Sequence, residues 1–157
     1  MYLLAYPRLL AYAWRRVGSR QLADEAVSET MTRAIAAISR YRPMSSGPVG
    51  WLFGILRNVV REIHRRPTAS SEFPDDLPGG DDPVEALMNS EERRLLLAAF
   101  AELDPNDQEI LELRVVGRLT ADEVAQVLGK RPGAVRMAQS RALDRLRQEA
   151  EKVGLYG

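Results

Sequence analysis

Two stretches of this chain collect side chains that recognise anions, and none collects the kind that breaks bonds. "GKRPGAVRMAQSRALDRLR", Gly129 to Arg147, sets six basic residues around a thin line of aliphatics. "WLFGILRNVVREIHRR" places Arg57, Arg61 and Arg65 at four-residue steps, with Arg66 just beyond. On a helix such steps share a face, and a ladder of guanidinium groups can track phosphates along a nucleic-acid strand. Tyr41, Trp51 and Phe53 lie close by in sequence, and aromatic faces stack on unpaired bases. For Trp51 a place in the core, beside an aliphatic stripe, is the competing reading. Catalytic groupings are missing. Cysteine is absent, which removes disulfides, thiolate metal sites and a thiol nucleophile. His64, the one histidine, has no partner at ligand or catalytic spacing and reads as a helix-surface residue. With no carboxylate cluster, nucleophile-base pair or Gly-rich phosphate loop, the sequence predicts a binding protein without enzyme activity, metal or cofactor.

The elements that must carry these residues follow from periodicity. Period-two alternation is nowhere sustained, whereas helical spacing recurs, so the chain is predicted to be all-α. In "ADEAVSETMTRAIAAISRYRP" the residues Val27, Met31, Ala34 and Ile38 form one stripe, expected to pack inward. Asp24, Glu25, Ser28 and Glu29 occupy the opposite face, near the start of the helix, where acids also suit the helix dipole. That patch is either a partner surface or a set of N-terminal helix stabilisers. In the helix opened by Trp51, the buried stripe is expected to be Leu52, Leu56, Val59 and Ile63. Between the two halves, "RRPTASSEFPDDLPGGDDP" holds four prolines, two adjacent glycines and several acids, the composition of a mobile linker. The predicted organisation is therefore a helical domain over residues 1–66, a linker over 67–83 and a second helical domain over 84–157.

Charge divides the same way. The chain of 157 residues is neutral overall. Yet residues 1–66 hold 11 Lys and Arg against 4 Asp and Glu, residues 67–109 hold 2 against 12, and residues 110–157 hold 9 against 6. Basic blocks flanking an acidic one suggest two polyanion-facing modules with a joint between them. No apolar run reaches the roughly 18 residues of a membrane span, and Pro7 and Arg8 interrupt the opening segment, so a soluble cytoplasmic protein without membrane insertion is expected.

The second half carries the sharpest local signals. Asp104 is a predicted N-cap, with Pro105 at the first helical position, where its missing N–H costs nothing. In "GRLTADEVAQVLGKRPGAVRMAQ", Thr120 and Glu123 form a capping box, Leu119 and Val124 a hydrophobic staple, and Gly129 the left-handed stop. A short turn leads into a second helix near Pro132, which makes a helix-turn-helix. At about 100° per residue, Val135, Ala142, Leu143 and Leu146 gather inward, while Arg136, Met137, Ser140, Arg141, Asp144 and Arg147 point away. A solvated face would mix Glu with Lys. This one is mostly arginine, whose planar fork fits guanine edges and phosphates.

Taken together, these segments resemble the extracytoplasmic-function sigma factors, the small two-domain members of the bacterial sigma-70 family. "ADEAVSETMTRAIAAISRYRP" is similar to region 2.2. "GWLFGILRNVVREIHRR" is similar to regions 2.3 to 2.4 in their W-L-x-x-I-x-R-N-x-x-x-x-x-x-R-R form. "LDPNDQEILELRVVGRLTADEVAQVLGKRPGAVRMAQSRALDRLR" is similar to region 4. The resemblance implies a protein that binds core RNA polymerase, directs it to a promoter and helps open the DNA. It gives the face of Asp24, Glu25, Ser28 and Glu29 a partner, a coiled coil of the largest polymerase subunit. It assigns Asn58, Arg57, Arg61, Arg65 and the Tyr41 to Gly50 loop, together with Trp51, to the melted minus-ten strand. In region 4 it sets Arg136, Met137, Ser140 and Arg141 against bases of the minus-thirty-five element, with Thr120, Lys130 and Arg131 near phosphates. The acidic linker would run toward the RNA exit path or act as a plain spacer, and an anti-sigma protein is an expected partner. Family members commonly start a turn or two earlier, which implies either a short first helix or a misassigned start. They also commonly carry an arginine and an aliphatic residue where this chain has Ala138 and Gln139. The wheel puts Gln139 at about 40° from Val135, facing inward, so it either finds a buried partner or the helix is rotated slightly. The alternative from another class is a one-component regulator that binds an operator through the helix-turn-helix without polymerase.

Overall fold

The structure, a computed structural model, describes residues 2–43, 47–67 and 90–155, with the side chains of residues 2–4 left out. Residues 68–83 of the predicted linker, residues 84–89 of the second predicted domain, and Met44 to Ser46 of the Tyr41 to Gly50 loop lie outside the described residues. Those described form helices and turns with no strand. Helix α1 spans Tyr2–Val17 and continues through Pro7. Gly18, at a φ of 75°, reverses the chain, and Ser19 caps α2 (Arg20–Ala36) by accepting a hydrogen bond from the Leu22 amide. A 3-10 turn, Ile38–Arg40, follows. Helix α3 spans Pro48–His64 and starts on Gly47, at a φ of 81°, with Pro48 in its first turn.

In the second half, α4 is Ser90–Ala101 and α5 is Pro105–Leu111. Asp104 caps α5 through the Asp107 amide. Helix α5 runs on into a π-helical turn, Glu112–Val116. The helix-turn-helix is α6 (Ala121–Leu128) and α7 (Pro132–Lys152). Both bonds of the Thr120–Glu123 capping box are made, at 3.1 and 2.8 Å. Gly129 ends α6 at φ 67°, ψ 34°, the left-handed geometry that costs glycine least.

One cluster of buried side chains runs through both halves. Leu9 and Tyr12 of α1, Ala23, Ala26 and Val27 of α2, and Leu52, Phe53, Leu56, Val59, Val60 and Ile63 of α3 meet Leu113, Leu119, Val124, Ala125 and Val135 from beyond the linker. Small residues on the buried face of α2 let α1 and α3 approach it closely. Phe53 is fully buried, packs edge-on against Tyr12 with ring centroids 5.7 Å apart, and lies against Gly117, where an added Cβ would come within 3.0 Å of its ring. At Gly50 an added Cβ would come within 2.7 Å of the Gln126 side chain of α6. A second, smaller cluster holds Leu103, Leu111 and Ala142, with Phe100 and Leu146 against it.

Three expectations need correction. Ile38 is 63% exposed, because α2 ends at Ala36 and the periodicity that placed Ile38 inward does not persist into a 3-10 turn. Leu143 is 45% exposed, and the inward side of α7 is made by Val135, Ala138, Ala142 and Ala150. Phe53 is a core residue and has no face to offer a base.

The junction between the halves also holds a buried acid. Glu112 is 5% exposed. Its Oε2 has no hydrogen-bond partner among the described residues and lies 3.6 Å from an Arg16 guanidinium nitrogen. Burial pushes its carboxyl above the usual range, opposed by Arg16 and Arg15 and assisted by Glu109. The unfolded chain ionises this group first, so its contribution to stability is present at low pH and is lost as pH rises from the ordinary carboxylate range through the raised value. Glu112→Gln is therefore expected to melt at a higher temperature than wild type at pH 7 to 8, with the difference closing toward pH 4. Thermal melts across that range check it, and a variant less stable than wild type at pH 8 would show that attraction to Arg16 outweighs burial.

Candidate nucleic-acid interface

The basic residues of α7 fall into two groups. Arg145 bonds Asp107 and lies 3.6 Å from Asp104, which fastens the middle of α7 to the start of α5. Arg147 faces Glu151 at 3.9 Å. Arg136 and Arg141 are exposed and make no ion pair among the described residues. Lys130 and Arg131, in the turn before α7, are exposed and unpaired in the same sense. Met137, 64% exposed, and Ser140 lie on the same outward face. A cation with no internal partner keeps its full field for an external anion. Gln139 is half-buried and accepts a hydrogen bond from Arg114 Nε at 2.6 Å. It has found a partner, and the outward face is the one the wheel predicts. Thr120 is committed to the capping box, with its residue still exposed.

Helix α3 is divided differently. Arg61, Arg65 and Asn58 are exposed, and the first two make no ion pair among the described residues. Arg57 is half-buried. Its Nε lies 3.1 Å from both carboxylate oxygens of Glu109 in α5, and Arg16 lies 3.9 Å from the same group. In this arrangement the first rung of the ladder is occupied by an acid from the second half of the chain. Trp51 is partly buried against the core, and Tyr41 leans on it at 4.9 Å between ring centroids. His64 Nε2 lies 2.7 Å from the Arg16 carbonyl oxygen, which ties the ends of α1 and α3 together.

Asp24, Glu25, Ser28 and Glu29 are exposed on one side of α2. None lies in the first turn of that helix, so they do not serve as dipole-matched N-terminal stabilisers. Each acid has a basic neighbour. Asp24 lies 3.3 Å from Arg20, Glu25 is 2.6 Å from Arg66, and Glu29 is 3.0 Å from Arg33, which also reaches Glu62 at 2.6 Å. The pairs within α2 were available from the sequence at i,i+4 spacing, whereas Glu62 comes from α3 and Arg66 from just past its end. Near the end of α2, Ile35 is 70% exposed, and Ile38 in the turn that follows is exposed too. Among the described residues no helix is long and apolar enough to cross a membrane.

Residues 1–69 match the family model for Sigma-70 region 2, and residues 99–148 match that for Sigma-70, region 4. The ECF RNA polymerase sigma factor ShbA of Streptomyces griseus is 32% identical, over 94% of this chain and 84% of its own length. The ECF RNA polymerase sigma factor SigD of Mycobacterium tuberculosis is 31% identical, over 96% and 75% respectively. The fold is similar to that of CnrH, solved with the cytosolic domain of CnrY, at a TM-score of 0.63 and 23% identity, covering 96% of this chain and 83% of that one. It is equally similar to the sigma factor RpoE of Bartonella quintana, solved with the anti-sigma factor NepR, again at 0.63 and 23%, covering 98% and 95%. With both sigma-70 models matched in order and relatives at this identity spanning nearly the whole chain, the protein belongs to the ECF sigma factors and is an RNA polymerase sigma factor.

Proposed function

We propose that this sigma factor reads the upstream promoter element with α7 and the melted minus-ten strand with the exposed side of α3, and docks on core polymerase through the outward face of α2. The observation that carries the reading is the sorting of charge on α7, where among the described residues Arg136 and Arg141 make no ion pair while Arg145 and Arg147 do. Arg136, Met137, Ser140 and Arg141 then meet base edges, and Lys130 and Arg131 meet phosphates beside Thr120. Asn58, Arg61 and Arg65 meet the single strand, with Trp51 and Tyr41 at the edge of that surface. Arg57 joins them once Glu109 lets go, so the arrangement described here is a resting one that opens on loading. Helical domains over 1–66 and 84–157, joined through 67–83, fit that opening. The chain acts in the cytoplasm, where the polymerase is, and carries no chemistry of its own. An anti-sigma protein is the partner that would hold it inactive, a reading supported by the NepR complex of a protein with the same fold.

Run-off transcription with core polymerase, with and without this chain, tests the function. Promoter-dependent transcripts are expected only with the chain present. Tight, specific operator binding by the free chain at physiological salt, without stimulated transcription, would favour the one-component regulator instead. The docking face has its own test. Reversing charge at Asp24 and Glu29 is expected to weaken association with core polymerase roughly tenfold or more, with little loss of fold, because both side chains are about half exposed. A native gel shift that finds undiminished binding would remove this face from the interface.

A further inference from the structure

Helix α7 packs on the body of the protein through small side chains. Val135, Ala138 and Ala142 are the buried residues along its reading half, and short side chains interdigitate little. Shape alone therefore leaves rotation about the helix axis weakly fixed. Gln139 sits among them. Its Oε1 accepts from Arg114 Nε at 2.6 Å, while Nη1 of the same guanidinium donates to the Leu119 carbonyl at 2.7 Å. Arg114 belongs to the π-helical turn, and Leu119 immediately precedes the N-cap of α6. One planar fork thus joins the turn before the helix-turn-helix, the entry to its first helix and the inner side of its second. Because the guanidinium donors are held at fixed angles, the tie has direction as well as strength.

We propose that Arg114 and Gln139 form a positioning clamp that sets the rotation of α7 and so determines which bases Arg136 and Ser140 meet. The clamp rests on the reading of α7 as the upstream-element reader. A turn of about 20° moves a side-chain atom at a radius of roughly 6 Å by roughly 2 Å, while a hydrogen bond to a base edge holds only within a few tenths of an ångström of about 2.9 Å. Attraction to phosphates falls off far more gently with distance and angle. Losing the clamp therefore blurs base choice before it weakens overall attraction.

The test is transcription of a library of upstream-element variants by holoenzyme assembled from core polymerase and the full chain. Gln139→Leu removes the acceptor and leaves an apolar side chain of similar size, and a thermal melt confirms that the variant is folded. The preference for the best promoter over single mismatches is expected to fall roughly fivefold at two or more positions. Arg114→Ala is expected to give the same pattern. Gln139→Glu offers a charged acceptor to the same N–H and is expected to retain the wild-type preference, which a merely space-filling role would not require. The clamp is overturned if Gln139→Leu keeps the wild-type preference while Arg136→Ala has lost it. It is equally overturned if Gln139→Leu and Arg114→Ala lower activity uniformly on all promoters, the mark of a phosphate contact or of general loosening. If Arg136→Ala also leaves preference untouched, the reading of α7 itself fails, and the clamp falls with it.

Discussion

Replacing Phe53 by alanine is expected to lower folding stability by about 3 to 5 kcal/mol, a large part of the roughly 5 to 15 kcal/mol that holds a typical domain together. Phe53 is fully buried and meets Tyr12 edge-on. It also lies against Gly117, on the far side of the linker. The cavity would open where α1, α3 and the end of the π-helical turn converge, and the glycine at 117 offers no side chain to collapse into it. At roughly 2 to 4 °C per kcal/mol for a chain of this size, the melting temperature should fall by about 10 °C. The location of the damage is the sharper part of the expectation. Because Leu113, Leu119 and Val124 share the cluster with Phe53, amide exchange should accelerate across Leu113–Val116 and α6 as well as in α1 and α3. Protection that persists in the second half while α1 to α3 loosen would mean that the two halves hold their cores separately.

The second large effect concerns recognition. Arg136→Ala is expected to relax preference at one or two positions of the upstream element by about 1 to 3 kcal/mol, the discrimination carried by a bidentate contact to guanine. The residue stands near the N-terminal end of α7, the part that meets base edges in helix-turn-helix proteins, and among the described residues its guanidinium makes no ion pair that would have to break first. Changing Lys130 or Arg131 to alanine should behave differently, weakening binding to every sequence alike and making it less sensitive to salt. A promoter library transcribed with each variant separates the two behaviours. A uniform loss with Arg136→Ala would make it a phosphate contact.

Local signals in the sequence were enough to determine the helix-turn-helix. The Asp104 cap, the Thr120–Glu123 box and the left-handed Gly129 each act within one turn of backbone, so residue type and spacing decide them before any tertiary contact forms. The exposed face of α7 was legible for the same reason, since a rotation of about 100° per residue assigns sides without reference to what packs there. That rule fails where the helix stops, as at Ile38, and where the inward side borders an open groove, as at Leu143 beside Phe100 and Leu146. It also says nothing about which residue lies opposite. The Arg57–Glu109 pair spans 52 positions and the Arg114–Gln139 pair 25, and at such separations the pairing depends on how helices are brought together. A guanidinium four residues from the next reads as a ladder whether its neighbour in space is a phosphate or Glu109. Only the tertiary structure decided that the second half of the chain completes the core of the first, because the apolar face of α6 can be recognised in the sequence but the surface that covers it cannot.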